Sequence, residues 1–324
     1  MTNPFPSWNK RICRETIRYC FPKVHIRTLS AIHGGWDNFV VDVNDRLLFR
    51  FPRRVAVEAS IEKEIALLRL LQRALPYSIP NPEYVWSGDR KVPIRFYGYP
   101  KIRGVPLTHE AIASSQASFA SQVSRLLNLI QNPSLTHAAR NCFARYPAQT
   151  WRGEYASLLS RVRKKVVRLL DAGAREKTLA IFDDFLDDRD NFSFAPVLVH
   201  RDLNSNILYD ERRREISGVI DWGDAAMGDP AFDFCGFLHS EGRGFVESVL
   251  RDYRGQVDES FWGRMEFYSK AIPYHVILGA MITGRPYRIV DNEVIVGRGP
   301  TVAVFKMFKS SSAFEIRGPS RSHR

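Results

Sequence analysis

Two short segments of the chain carry side chains that could do chemistry. The segment VLVHRDLNSNILYD places His200, Asp202 and Asn206 between two apolar runs that are typical of strands. In ISGVIDWGDAAMGDP, Asp221 follows another such run. Carboxylates at the ends of two strands, with an amide oxygen nearby, suit a divalent cation such as Mg²⁺ that also binds phosphates. Either aspartate alone could instead cap a turn, but the ordered pair favours a metal-dependent reaction.

A carboxylate that holds no metal can take a different part in the same chemistry. It can orient a hydroxyl for in-line attack on a phosphoryl group, a reaction that depends mostly on positioning and charge neutralisation. The motifs of several other catalytic classes are missing from the sequence. It contains no G-x-x-x-x-G-K-[ST] loop, no H-E-x-x-H and no G-x-S-x-G.

The elements that must position these residues follow from the hydrophobic pattern. In the first third, TLSAIHGGWDNFVVDV and RLLFRFPR predict strands with a turn at Asn44-Asp45. Residues 58–73 repeat apolar side chains at helical spacing and predict one helix. Further strands are expected near residues 84–86 and 94–99.

A linker-like segment at residues 101–106 separates this region from one with a mostly helical pattern. We therefore predict an α+β fold of two lobes. Residues 1–103 are expected to form a small N-terminal nucleotide-binding lobe with an antiparallel sheet and one helix. Residues 104–305 are expected to form a larger, mostly helical lobe that carries catalysis and substrate binding. Residues 306–324 are rich in serine and arginine and are expected to be a basic, disordered tail.

The net charge of +12 is concentrated in part of the chain. Residues 1–103 carry 18 basic and 9 acidic side chains, whereas residues 104–305 carry 24 and 25. The basic residues are not interleaved with aromatic ones as in ribonucleoprotein motifs. We therefore expect the positive charge to serve nucleotide phosphates, and we expect no nucleic-acid partner.

The remaining composition indicates the cellular setting. No run approaches the roughly 18 apolar residues that a membrane span needs, and no secretory leader is visible at the N-terminus. The four cysteines show no metal-like spacing, which is typical of reduced thiols. We expect a cytoplasmic monomer with no membrane partner.

The motifs together resemble a known family. HRDLNSNIL followed by GVIDWGDAAMGDPAFDF resembles the catalytic and metal-binding loops of the aminoglycoside phosphotransferase family, which is similar in fold to eukaryotic protein kinases. GGWDNFVVDV resembles the loop that covers the nucleotide, LLFRFPRR resembles the third strand, and KEIALLRLL resembles the helix with an ion-pairing glutamate. The resemblance is ordered over roughly residues 28–240.

The resemblance implies roles for residues at matching positions. Asp202, with His200 beside it, is expected to be the catalytic base or the carboxylate that orients the attacking hydroxyl, and Asn206 and Asp221 are expected to hold Mg²⁺. Glu64 is expected to pair with Arg50. The remaining residues expected at the nucleotide are Gly34, Gly35 and Asp37 in the covering loop, and Tyr99, Lys101 and Ile102 at the hinge. Asp224 and Glu241 are candidates for the acceptor side.

Two positions depart from the family's pattern. The family usually has four residues between the catalytic aspartate and the metal-binding asparagine, whereas Leu203, Asn204 and Ser205 make only three here. Asn204 could substitute, the backbone could tighten, or the chemistry could be impaired. Arg50 stands where lysine is common, and its planar fork differs in geometry from an ammonium group.

The expected function is transfer of the γ-phosphoryl group of ATP or GTP to a hydroxyl of an aminoglycoside, a macrolide or a related metabolite, with Mg²⁺. The alternative is a nucleotide-binding pseudokinase that acts as a binding module. Three further features are expected to be structural. Asp229 and Asp233 are expected to brace loops and helix starts rather than bind substrate, and residues 183–191 to form a solvated helix end rather than an aminoglycoside site.

Overall fold

The computed structural model describes residues 5–32, 35–143, 148–297 and 303–308. The chain divides into two compact units that interleave along the sequence. The first unit consists of Met1–Leu107, Ala138–Phe143 and Asn206–Ala225, and the second of Thr108–His137, Ala144–Ser205 and Ala226–Arg324. The segments that carry Asp202 and Asp221 therefore belong to different units. The lobe boundaries expected at residues 103 and 305 stay a prediction.

The first unit is built on a five-stranded antiparallel sheet. Its strands are β1 (Leu29–Ile32), β2 (Asn38–Val43), β3 (Leu47–Pro52), β4 (Tyr84–Trp86) and β5 (Phe96–Pro100). Their order in the sheet is β1-β2-β3-β5-β4. Asn44 and Asp45 join β2 to β3 with φ angles of 61° and 55°, the left-handed pair that a tight hairpin needs. The expected turn is confirmed.

The two faces of this sheet have different characters because side chains alternate along each strand. Phe49 and Phe51 of β3 are fully buried in a cluster with Cys13 and Ile17. These last two residues belong to helix α1 (Lys10–Cys20), which therefore covers that face. Arg50, between the two phenylalanines, points to the opposite face.

Helix α1 is an element that the sequence-based prediction lacked. Its N-terminus is capped by Asn9, whose side chain accepts a hydrogen bond from the backbone of Ile12. The expected helix over residues 58–73 is confirmed as α2 (Val55–Ala74). The first third thus contains two helices where one was expected.

A second, three-stranded sheet completes the first unit. It consists of β6 (Val105–Pro106), β8 (Ile207–Asp210) and β9 (Glu215–Val219), in the order β6-β8-β9. Strands β8 and β9 pair antiparallel with Ile207 opposite Val219. This pairing sets the ends of two strands side by side, one after Asn206 and one before Asp221.

The second unit is mostly helical, as expected for residues 108–190 and 230–285. Its helices are α3 (His109–Ser114), α4 (Gln116–Ile130), α5 (Pro133–Ala139), α6 (Ala148–Lys165), α7 (Ala172–Asp187), α8 (Phe232–Glu241), α9 (Arg243–Leu250) and α10 (Phe261–Thr283). Strands β7 (Val197–Val199) and β10 (Ala226–Gly228) pair antiparallel. Among the described helices, none is long and apolar enough to cross a membrane.

A small sheet near the C-terminus was also not expected. It consists of β11 (Tyr287–Val290), β12 (Glu293–Val296) and β13 (Ala303–Lys306), in that order. Met307, just after β13, is buried. The first residues of the segment expected to form a tail are therefore part of this packed region. Residues 309–324 lie outside the described part of the chain.

Candidate active site

Arg50 is a buried cation of the first unit, only 5% exposed. Its Nη1 lies 3.2 Å from Oε1 of Glu64 on α2, and its Nη2 lies 2.6 Å from Oδ1 of Asp221. The pairing of Arg50 with Glu64 is thus confirmed. The additional contact with Asp221 was not predicted. The role of these residues at a nucleotide stays a prediction.

Burial and charge act against each other in this cluster. Burial alone would lower the pKa of Arg50, but the carboxylates of Asp221 and Glu64 raise it well above the ordinary value. Burial raises the pKa of Glu64, and the charge of Arg50 opposes this rise only in part. Nε of Arg50 is also buried, and it donates a hydrogen bond to none of the described residues.

Asp221 and Asn206 are brought together by the β8–β9 pairing. The backbone N–H of Ile220 donates to the carbonyl of Asn206 at 3.0 Å. Asp221 itself has a φ of 60°, which is strained for a residue with a side chain, and its carboxylate is about half exposed. The backbone thus turns sharply where the sequence predicts a metal ligand.

The donor set at this turn fits Mg²⁺ in combination with a nucleotide. Across the described residues, no group of three or more His, Cys, Asp or Glu side chains could hold a metal ion by itself. One carboxylate and one amide oxygen are the few protein ligands that Mg²⁺ takes when phosphate oxygens and water supply the others. Arg50 already supplies one positive charge to Asp221.

The loop expected to cover the phosphates is described only in part, because Gly34 lies outside the described residues. At Gly35, a Cβ atom would lie 2.7 Å from the carbonyl oxygen of Asn38, which is too close. Asp37 forms an ion pair with Arg54, just before α2. A side chain at this position would collide with the backbone, which favours glycine in this loop.

The residues expected at the hinge form the end of β5 and the segment after it. Tyr99 is buried, and burial raises its pKa to about 12. The ammonium of Lys101 is bound by Asp42 at 2.6 Å and also by Asp45. Ile102 packs close to Gly218 of β9. The side chain of Lys101 is therefore occupied, and its backbone N–H donates to the carbonyl of Arg46 at 2.8 Å. The expected recognition of a base by this segment stays a prediction.

The loop of residues 200–202 in the second unit, which is expected to be catalytic, is anchored through its backbone. The N–H groups of His200 and Arg201 both donate to the carboxylate of Asp233, at 3.0 Å and 2.9 Å. His200 is fully buried, and its Nδ1 accepts a hydrogen bond from the backbone of Asp202 at 3.3 Å. Asp202 is exposed. The geometry therefore indicates that the buried His200 positions the loop, in which Asp202 is the exposed residue.

Arg201, between these two residues, is held in an unusual backbone conformation. Its φ of 74° is unfavourable for a residue with a Cβ atom. Its guanidinium pairs with Glu154 at 3.0 Å and lies over the ring of Trp151, 5.1 Å from the centroid. These contacts hold the side chain of Arg201 in place next to Asp202.

The shortened loop between Asp202 and Asn206 is accommodated by a 3₁₀ turn over Asn204–Asn206. The side chain of Asn204 packs against α8 at Gly236, where a Cβ atom would lie 2.1 Å from its Oδ1. Of the possibilities left open by the sequence, this geometry favours a tightened backbone. Asn206, rather than Asn204, remains the candidate for metal binding.

The two candidates for the acceptor side lie in different units. Asp224 is exposed on the same loop as Asp221, and its charge raises the pKa of Glu64, although less than burial does. Glu241, at the end of α8, is nearly buried and lies 2.6 Å from Nδ1 of His109. Their expected role stays a prediction.

The aspartates expected to brace the structure do so. Asp229 is fully buried and binds Nε of Arg264 at 2.6 Å and the hydroxyl of Tyr268 at 2.7 Å. Asp233 anchors the catalytic loop as described above. The sequence-based reasoning overlooked Arg264, a fully buried arginine on α10. Its position among apolar residues of a helix was the available signal.

The acidic run at residues 183–191 proves to line part of a cavity of about 700 Å³ in the second unit. Asp184, Asp188 and Asp190 contribute to this lining, together with Glu259. None of the described residues of the catalytic loop lines the cavity. It is therefore a separate feature of this unit.

Sequence comparison supports one family. Residues 28–268 match the phosphotransferase enzyme family. Viomycin phosphotransferase from Streptomyces vinaceus is 26% identical over 230 residues, which cover 68% of this chain and 76% of that protein.

Structural comparison agrees. The GDP and kanamycin complex of APH(2")-IIia matches with a TM-score of 0.76 and 25% identity, over 85% of this chain and 93% of that one. Macrolide 2'-phosphotransferase type I matches with a TM-score of 0.66 and 22% identity, over 88% and 95%. These likenesses confirm the α+β, protein-kinase-like fold that the motifs imply.

Proposed function

The chain belongs to the phosphotransferase enzyme family, and we propose that it transfers the γ-phosphoryl group of ATP or GTP to a hydroxyl of an antibiotic or a related metabolite. The observation that carries this proposal is the cluster of Arg50, Glu64 and Asp221. It combines a buried cation with a partly exposed carboxylate at a strained turn. Such a combination suits a triphosphate and its metal ion.

The proposed reaction assigns a separate role to each residue of the site. Asn206 and Asp221 hold Mg²⁺, which neutralises charge on the phosphates when bound. Arg50 donates hydrogen bonds to phosphate oxygens, and Glu64 keeps its side chain in place. Asp202 accepts the proton of the attacking hydroxyl and orients its oxygen. The nucleotide base is recognised by the backbone after β5.

The acceptor is the least constrained part of the proposal. The relatives named above act on viomycin or bind kanamycin, and one is a macrolide phosphotransferase. We propose an aminoglycoside or a macrolide, with Asp224 and Glu241 on the acceptor side. Residues 104–305 are close to neutral, so the charge of this region does not favour a polycation over a neutral acceptor.

A nucleotide-binding pseudokinase is the second candidate, and the shortened loop before Asn206 is the observation that favours it. The two functions differ in one measurement. Wild type and Asp202→Ala are incubated with a panel of aminoglycosides, macrolides and simple alcohols, Mg²⁺, and ATP or GTP, and the acceptors are then analysed by mass spectrometry.

Our proposal predicts that wild type adds one phosphoryl group to at least one acceptor and that Asp202→Ala adds none. Nucleotide binding by both proteins, without a phosphorylated acceptor or nucleotide hydrolysis in either, would favour the pseudokinase. We also propose a monomer without a nucleic-acid or membrane partner. The four free cysteines support a cytoplasmic location.

A further inference from the structure

Arg50 occupies a position where a charged side chain is costly. It lies on β3, the central strand, between Val40 of β2 and Tyr97 of β5. Its guanidinium lies 5.8 Å from the centroid of the Tyr97 ring. A charge this deeply buried must be compensated by partners that stay in place.

The compensation comes from two carboxylates that bind two different nitrogens. Nη1 contacts Glu64, and the shorter contact, at 2.6 Å, joins Nη2 to Asp221. A guanidinium can bind both at once because its donors form a rigid, planar fork. The single nitrogen of a lysine has no such fork.

Of the two carboxylates bound to Arg50, that of Asp221 is the more exposed. The side chain of Asp221 is 53% exposed, compared with 4% for Glu64. Asp221 could be solvated by water, yet its Oδ1 is bound to the arginine and its backbone is strained at a φ of 60°. One positive and two negative charges give this trio a net charge of −1, and removal of Arg50 would make it −2.

We infer that Arg50 is a resident counter-ion of Asp221: it holds this carboxylate in place before a metal ion binds and competes with Mg²⁺ for it. Arg50 is thus a positioning residue that sets the metal affinity of the protein. The inference rests on the proposed function only in taking Asp221 as a metal ligand. It implies that Mg²⁺ alone binds weakly to the wild-type protein.

The test uses the full-length protein and Mg²⁺ alone, with no nucleotide or acceptor. Thermal unfolding is followed as Mg²⁺ is added to wild type, Arg50→Gln, Arg50→Lys and the double variant Arg50→Gln/Asp221→Asn. Arg163→Gln is the matched control, because it removes an arginine from an exposed pair with Asp183 in the second unit.

We expect the Mg²⁺ concentration for the half-maximal shift in Tm to be about tenfold lower in Arg50→Gln than in wild type, since a cation in contact with the carboxylate has been removed. Arg50→Lys should lie between the two, so the test does not depend on the stability of one variant. The added response should disappear in the double variant, and Arg163→Gln should respond like wild type.

A Mg²⁺ response of Arg50→Gln and Arg50→Lys equal to that of wild type would overturn the inference. A gain that persists in the double variant would also overturn it, because the metal would then bind elsewhere. Phosphoryl transfer by wild type that depends on Asp221 is measured separately. The proposed function therefore survives if only the role of Arg50 fails.

Discussion

The loop of Asp202 and the loop of Asp221 each contain a strained residue with a side chain, Arg201 with a φ of 74° and Asp221 with a φ of 60°. The two loops are held in opposite ways. In the first, the carboxylate of Asp233 binds backbone N–H groups, and Asp202 is left exposed. In the second, a contact of the carboxylate of Asp221 itself is described, with Arg50.

This difference matches the tasks proposed for the two carboxylates. A group that exchanges a proton with a substrate must stay accessible, so the protein fixes the backbone around Asp202. A group that binds a cation can be held by a cation of the protein until the metal ion arrives. Substitutions in the two loops should therefore differ in how they affect stability and metal dependence.

The largest effect is expected at the buried ion pair. Arg50→Ala should lower the free energy of unfolding by about 3–5 kcal/mol, because it leaves the buried Glu64 without its charged partner. Glu64→Ala should cost less, because Arg50 keeps its contact with Asp221. The double variant should lose less than the sum of the two by about 1–3 kcal/mol. Denaturant unfolding of the four proteins measures this coupling.

The exposed pair of Arg163 and Asp183 is the control for this cycle. Its coupling should stay below about 1 kcal/mol because water screens both charges. Equal coupling free energies in the two pairs would contradict the expectation that burial strengthens the interaction of Arg50 with Glu64.

A smaller loss of stability is expected when the backbone anchor is removed. Asp233→Ala leaves the buried N–H of His200 and the half-buried N–H of Arg201 without their acceptor, which should lower the free energy of unfolding by about 1–3 kcal/mol in total. The control is Asp210→Ala, which removes an acceptor of two N–H groups in an exposed turn and should cost less than about 1 kcal/mol. If both variants unfold at the same denaturant concentration, Asp233 does not anchor the loop.

The smallest effect concerns the covering loop. Gly35→Ala should cost about 1 kcal/mol or more, because the new methyl group meets the carbonyl of Asn38, and it should raise the KM for the nucleotide. Gly153→Ala, in α6, meets nothing within 4 Å and should instead stabilise the protein by about 0.5–1 kcal/mol. Denaturant unfolding of both variants measures the change in stability, and steady-state kinetics measures the KM for the nucleotide. A Gly35→Ala variant that is more stable than wild type would contradict the expected clash with Asn38.

Much of the fold was predictable because periodic segments carry it. Apolar side chains repeat with a period of two in the strands around the Asn44-Asp45 turn and with a period of 3.6 in helix α2. Helix α1 also carries a regular stripe, at Cys13, Ile17 and Cys20, with Asn9 as its cap. It was overlooked because basic residues dominate the same segment.

Fewer of the contacts within the site could be predicted from the sequence. The pairing of Arg50 with Glu64 follows from the resemblance, which fixes the strand and the helix that carry them. The contact of Arg50 with Asp221 joins residues 171 positions apart, and its distance depends on how a loop turns after β9. Likewise, a bracing role for Asp233 was expected. The N–H groups that donate hydrogen bonds to it, those of His200 and Arg201, could be identified only from the fold.

The most direct test separates the proposed role of Asp202 in phosphoryl transfer from that of Asp221 in Mg²⁺ binding. Nucleotide binding at varied Mg²⁺ and phosphoryl transfer to the acceptor are compared for wild type, Asp202→Asn and Asp221→Asn. The account predicts that Asp202→Asn binds nucleotide with the Mg²⁺ dependence of wild type but transfers at least about 10²-fold more slowly. Asp221→Asn should lose the Mg²⁺ dependence of nucleotide binding as well as transfer. Near-normal transfer by Asp202→Asn, or an unchanged Mg²⁺ dependence in Asp221→Asn, would contradict the account.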